Sequence, residues 1–422
     1  MVLFFSIFGS IGGSTWGFAQ SLPDVASVKD LPSTSRPSPK YQRLKPLSIR
    51  SQPDFMHSAT SSSSITTGAF GIPFSPAHVI SVPTFQVSFI SRGKTWHFAM
   101  MGTAPWDGGS TTIPTHIVAV SLRLQNANLT SFTTIPMSAF ETPTLNSPDF
   151  KAANYSSGPG IQFADAVQRA EFFHKMKAGW HTILHPAMVH SVTITVPRFI
   201  NADVNGFTTK VQTYFTSKAS DGRTVVFLLD QFFNQQIFNI VTNEIKAGRF
   251  ATGALNVALF PNTYLFSLNS SGGIGNCCVL GFHTFFTDTA LTESRWVFAF
   301  ASWVSPGVFS GFQDVTALSH EISEAINDPF VNNLVPAWQY PNEPGTCQDN
   351  LETGDPVEVL SNPMFPVNVS GRTYHPQTEA LLQWFEQKTT STAINSAFSY
   401  PNTKALTKGA TPFGPLGCPP AD

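Results

Sequence analysis

The sequence predicts an α+β protein: a β-rich N-terminal region followed by a mixed domain built around a metal-binding helix. Three observations carry that expectation. Charged residues make up only 12% of the 422-residue chain while Phe alone numbers 38, a composition that suits many strands joined by turns. Short apolar runs of strand length recur from residue 85 to residue 304. Residues 315–329 break this habit, having the period of an amphipathic helix and carrying three chemistry-bearing side chains.

In chain order, residues 1–19 read as a signal peptide. Residues 2–8 are apolar, and Gly17-Phe18-Ala19 places small residues before Gln20, although the usual basic start is missing. Residues 20–66, rich in Ser, Pro, Lys and Arg without periodicity, read as a disordered leader or pro-segment. The β-rich domain is expected over 67–199, with strands at 85–90, 117–122 and 192–196. It holds one helix, 165–177, in which Asp165 and Arg169 stand at i,i+4. His174, His181, His185 and His190 have spacings that match no single ligand face and are expected to be structural.

The metal-binding domain is expected over 200–422. Runs at 225–229 and 257–260 read as buried strands, and 231–246 as a helix from its Phe232, Ile237, Ile240 and Ile245 pattern. The apolar run 296–304 reads as a strand ended by a Ser305-Pro306-Gly307 turn. The key helix follows. Val315, Leu318, Ile322 and Ile326 form its apolar stripe, and Pro329 ends it near Asn327 and Asp328. His320 and Glu324 lie together off that stripe. Their Cβ atoms should be about 5–6 Å apart, close enough to share one ion.

His320-Glu321-x-x-Glu324 is the zincin arrangement H-E-x-x-H with glutamate in the last place, so the second domain is expected to be zincin-like. A catalytic zinc takes three protein ligands and leaves a place for water. His320 and Glu324 supply two, and the Gly turn of Glu352-Thr353-Gly354-Asp355 offers the third, from either Asp355 or Glu352. Glu321 matches the general base that takes a proton from the water. Zn2+ is the first choice, and the carboxylate-rich set also admits Mn2+, Fe2+ or Ca2+.

Composition narrows the partners. With a net charge of −2 and no dense Lys/Arg patch, nucleic acid is not expected, and no apolar run is long enough for a membrane span. Gly272-Gly273-Ile274-Gly275 lacks the Gly-Lys-Ser/Thr of a phosphate loop, and no G-x-S-x-G elbow is present. Four cysteines suit an exported protein with disulfides. The adjacent Cys277 and Cys278 are expected to reach out to Cys347 and Cys418 rather than to bond to each other.

The order His320-Glu321-Ile322-Ser323-Glu324, Asp328-Pro329-Phe330 and Glu352-Thr353-Gly354-Asp355 resembles a group of secreted HExxE proteins. It is also similar to the plant phosphate-induced/EXORDIUM proteins, over roughly residues 220–420. There a Cys-bearing segment ending in Cys-Gly-x-His precedes the motif and a Gln-Trp follows it. The counterparts here are Cys278 to Gly281-Phe282-His283, and Gln383-Trp384, with Leu280 standing where the plant pattern has a second Cys. The resemblance implies an extracellular protein with one of two roles. One is a metal-dependent hydrolase, a zinc metallopeptidase acting on a peptide or protein substrate. The other is a non-catalytic extracellular or cell-wall-associated binding protein whose metal site is structural, since some plant members lack the HExxE residues.

Overall fold

The computed structural model describes residues 81–155, 160–287, 294–343, 345–414 and 418. The expected signal peptide and leader lie outside them. The chain begins with the hairpin β1 (Thr84–Ser91) and β2 (Lys94–Met101). The long β3 (Ser110–Gln125) and short β4 (Phe132–Ile135) precede helices α1 (Ser138–Leu145) and α2 (Phe163–Glu171). Then come β5 (His181–Val196), β6 (Phe199–Val204), β7 (Phe207–Gln212), β8 (Tyr214–Lys218) and β9 (Thr224–Leu229). Helix α3 (Asp230–Lys246) leads to β10 (Leu255–Pro261), β11 (Thr263–Leu268), β12 (Ile274–Val279) and β13 (Gly281–Thr287). β14 (Arg295–Phe309) and β15 (Phe312–Asp314) deliver the chain to α4 (Thr316–Asn327). The remainder is short: β16 (Leu334–Gln339), β17 (Cys347–Asn350), α5 (Asp355–Glu358), β18 (Val367–Val369), β19 (Arg372–Tyr374), β20 (Glu379–Ala380), α6 (Leu382–Phe385) and β21 (Ser399–Tyr400).

The architecture is mixed and strand-rich, centred on one seven-stranded sheet. Its main order is β13-β14-β10-β3-β5, with β4 beside the far end of β3 and β15 beside the end of β14. The inner pairings are parallel, and β13 joins β14 antiparallel. β3 and β5 precede residue 200 and β10, β13 and β14 follow it, so segments 67–199 and 200–422 both contribute strands to this sheet and meet where β10 pairs with β3.

Alternation along the strands gives the sheet two cores. Val257, Leu259, Val297, Ala299 and Ala301 face α2 and α4, while Ala258, Phe260, Phe298 and Phe300 face α3 through Phe233, Ile237 and Val241. A sheet covered on both faces reads as unbroken apolar sequence, as 296–304 does. That run does not stop at Ser305-Pro306-Gly307 as expected. β14 continues to Phe309, with the ladder to β15 shifted in register between Val304 and Phe309 and Gly307 at φ +80°. The proline thus sits in an irregular stretch of the ladder where a turn was predicted.

The helix expected over 165–177 ends at Glu171, and the following residues form turns in which the Lys175 and Met176 amides donate to the Phe172 carbonyl. Asp165 and Arg169 both lie on this helix, and the Arg169 charge acts on the Asp165 carboxyl, which has further partners. Asp165 accepts hydrogen bonds from the Thr182 amide at 3.0 Å and stands 2.7 Å from His181 Nδ1, tying α2 to β5. His181, and His190 beside Glu244 at 2.9 Å, are thus linked to carboxylates of neighbouring helices.

The expected disulfide pairing is overturned. Cys277 bonds to Cys278 on β12, and Cys347 bonds to Cys418 with a Cα–Cα distance of 5.8 Å. β12 belongs to a separate four-stranded sheet, β12-β11-β9-β8, whereas Cys347 begins the β17 strand of another hairpin. Pairing across the two would require Cα atoms within about 7 Å. Among the described residues, no helix is long and apolar enough to cross a membrane.

Candidate metal centre

Helix α4 begins two residues after β15 and lies across the β13–β14 corner of the sheet. Val315, Leu318, Ile322, Ala325 and Ile326 enter the core there, as their spacing predicts. The opposite face is not solvated. Every residue from Thr316 to Asn327 is buried, because the segment from Glu352 to Ala380 forms a second wall over the helix. The Gly354 amide donates to Glu324 Oε1 at 3.0 Å, and the Gln377 amide donates to Ser319 Oγ at 2.9 Å.

That wall also sets the tautomer of His320. Gln377 Nε2 donates to the Gly354 carbonyl at 2.7 Å, which leaves Gln377 Oε1 as the acceptor, 3.2 Å from His320 Nδ1. Nδ1 therefore carries a proton, and Nε2 is the nitrogen left to face the carboxylates, with a lone pair when the ring is neutral. Nε2 lies 3.1 Å from Glu324 Oε1 and 3.5 Å from Asp355 Oδ1. Asp355 is held in turn through Oδ2, which accepts the Tyr340 hydroxyl at 2.8 Å and the Gln348 amide. Hydrogen bonds that fix a ligand's orientation from behind are the usual support of a metal site.

His283 enters from the sheet. On β13, Phe282 and Phe286 point into the α3 core, so Gly281, His283 and Phe285 face α4. The strand partners of Gly281 and His283 are Ala301 and Ala299, small side chains that leave room beneath the helix. His283 Nε2 donates to the Asp328 carbonyl at 3.1 Å, just past the end of α4. Its Nδ1 then faces Glu324 Oε2 at 3.3 Å, Glu352 Oε2 at 3.7 Å and Glu321 Oε2 at 3.8 Å.

Two groups of donor atoms are therefore each close enough to hold one ion: His320, Glu324 and Asp355, and His283, Glu321 and Glu324. Of the two third ligands left open by the sequence, Asp355 stands with His320 and Glu352 stands against His283. His283 was not expected as a ligand. Its signal was the Gly-x-His at the end of an apolar strand, where period-two alternation puts Gly281 and His283 on one face. Gln377 and Glu379 were also missed, and their signal is weak: polar residues in a stretch that is fully buried.

The electrostatics match a cation site. His283, His320, Glu321, Glu324, Glu352 and Asp355 are all buried. Burial pushes Glu321 up to about 7, against the pull of His320. Burial opposes ionisation of Glu324 as well, but His320 and His283 hold it well below the usual carboxylate range. Burial disfavours charge on both imidazoles, yet the surrounding carboxylates raise them well above the ordinary histidine range. The field of the pocket thus draws positive charge to the two histidine lone pairs.

Gln383 and Trp384 lie elsewhere. Gln383 donates to the Glu171 carbonyl at 2.8 Å and Trp384 packs edge-on against Trp338, so both serve the core. No protein-family model matches the chain, and no match among curated proteins or solved structures reaches significance.

Proposed function

We propose that the protein is a secreted metal-dependent hydrolase of the zincin type, acting on peptide bonds. One observation carries the reading: Gln377 fixes the proton of His320 on Nδ1, so Nε2 is aimed at Glu324 and Asp355 as a ligand. His320, Glu324 and Asp355 would hold a divalent ion, which would supply Lewis acidity and lower the pKa of a water. Glu321, one residue along α4, would serve as the general base. Zn2+ is the preferred ion, with Mn2+, Fe2+ and Ca2+ admitted by two carboxylates in the set.

A second observation favours a non-catalytic reading. All the site residues are at most 9% exposed, so a structural ion that locks the 352–380 segment onto α4 fits the same geometry. Metal analysis of the purified full chain, with His320→Ala and Glu321→Gln variants assayed on casein and peptides, separates the two. Under the hydrolase reading, Glu321→Gln keeps the His320-bound ion and loses hydrolysis. Bound metal with no hydrolysis in the wild type would leave the structural role, and a metal-free wild-type protein would sink both readings.

A further inference from the structure

We infer that the cluster has two cation positions sharing Glu324, the second formed by His283, Glu321 and Glu324 and bordered by Glu352. This rests on the reading of His320, Glu324 and Asp355 as a metal site and extends it.

The first support is the pair of committed protons. His283 donates Nε2–H to the Asp328 carbonyl, as His320 donates Nδ1–H to Gln377. The other nitrogen of each ring faces carboxylate oxygens within 4 Å, so each ring together with its carboxylates forms a compact donor set around a point that a cation can occupy. The two lone pairs address different oxygens of Glu324, Oε1 for His320 and Oε2 for His283. A carboxylate that turns one oxygen to each of two ligand sets is placed to bridge two ions, which in paired sites stand about 3.5–4 Å apart.

The second support is charge. Glu321, Glu324, Glu352 and Asp355 carry four negative charges when ionised, all buried, and both imidazoles are neutral when they act as ligands. One divalent ion would leave half of that charge uncompensated in a medium where isolated charge is costly. Two divalent ions balance it. Beside them Glu379 is fully buried and feels the charges of His320, Glu324 and Glu321. One imidazole with two or three carboxylates per position suits Mn2+, Fe2+ or Zn2+. When the second position is filled, Glu321 is a ligand and is no longer free to act as a base.

The test is metal stoichiometry, which does not depend on any catalytic activity. The full chain is dialysed to equilibrium against Zn2+ and against Mn2+, and bound metal is measured in the wild type and in His283→Gln and Asp355→Asn. Two equivalents in the wild type and one in each variant are expected. The Mn2+ form should give a spin-coupled paramagnetic resonance signal that becomes an isolated-ion signal in both variants. A single equivalent in the wild type, retained by His283→Gln and lost by Asp355→Asn, overturns the second position and leaves the first intact. No bound metal overturns both. The wild-type count stands even if a variant fails to fold.

Discussion

Gly354 lies flat against the imidazole of His320: a Cβ at this position would stand 2.4 Å from Nδ1 and 2.6 Å from Cε1. The backbone there is ordinary, with φ −80° and ψ −38°, so the glycine is required for space and not for conformation. The same residue donates its amide to Glu324 and accepts the Gln377 amide on its carbonyl. It therefore locates both residues of the i,i+4 pair at once. Gly354→Ala should displace the ring and weaken the ion held by His320 about 10-fold or more. Calorimetric titration with Zn2+ checks this, and unchanged affinity would mean that the ring is not the ligand.

Gln377 acts from behind the same ring. Its replacement by Ala removes the acceptor that keeps the His320 proton on Nδ1, so metal affinity should drop by about 10- to 100-fold. Gln377→Glu keeps an acceptor oxygen and should retain more of the affinity than Gln377→Ala. Equal losses in the two variants would count against the tautomer argument.

Gly281 is the corresponding close approach on the sheet side. A Cβ there would lie 2.6 Å from both Cγ and Oε1 of Glu321 and 2.9 Å from the Phe300 carbonyl. Because one of these contacts is backbone, Gly281→Ala cannot be relieved by a rotamer change alone. It should destabilise the fold by about 1–3 kcal/mol and shift Glu321. Denaturant titration reads the first effect. Loss of hydrolysis with the His320-bound ion retained reads the second.

Metal removal should loosen the molecule. Ligands that bind only the folded state stabilise it by about 2.7 kcal/mol at a hundred-fold excess over Kd. Chelation should accordingly lower the Tm by on the order of 5 °C. In His320→Ala, chelator should have a smaller effect, which differential scanning calorimetry with and without added Zn2+ measures. If base and second cation compete for Glu321, hydrolysis should rise to one equivalent of metal and fall toward the second.

A pH effect is expected away from the centre. Glu171 on α2 is fully buried, accepts only the Leu382 amide at 3.2 Å, and is pushed by burial from 4.5 up to about 8. A carboxyl raised in the folded state holds its proton more tightly than the unfolded chain does. Its contribution is complete below pH 4.5 and is lost as pH rises through about 8. Glu171→Gln should therefore have its Tm, relative to wild type, several degrees higher at pH 9 than at pH 4. A difference that does not change with pH would show that Glu171 stays ionised in the fold.

Much of the centre was legible because helical spacing is local. The stripe of Val315, Leu318, Ile322 and Ile326, the His320–Glu324 pair and the stop at Pro329 all follow from one helix, and α4 runs from Thr316 to Asn327. The strands at 257–260 and 296–304 were legible for the same reason, since a doubly covered strand reads as an unbroken apolar run. The separation of Cys277 and Cys278 from Cys347 and the register shift in β14 were not, because each depends on which strands lie side by side.

The sequence by itself determined the helix, the pairing of His320 with Glu324 on one face of it, and the Glu352–Asp355 turn as a source of further carboxylates. Tertiary structure alone decided that Asp355 joins His320, that Glu352 turns to His283, and that His283 belongs to the cluster at all. The reason is distance along the chain. An i,i+4 pair is fixed by the backbone of its own turn. His283 meets Glu324 only because β13 pairs with β14 in a register that sets Ala299 and Ala301 beneath the helix. Register and packing of that kind are properties of the assembled sheet, and they turned one predicted ligand set into two that share a carboxylate.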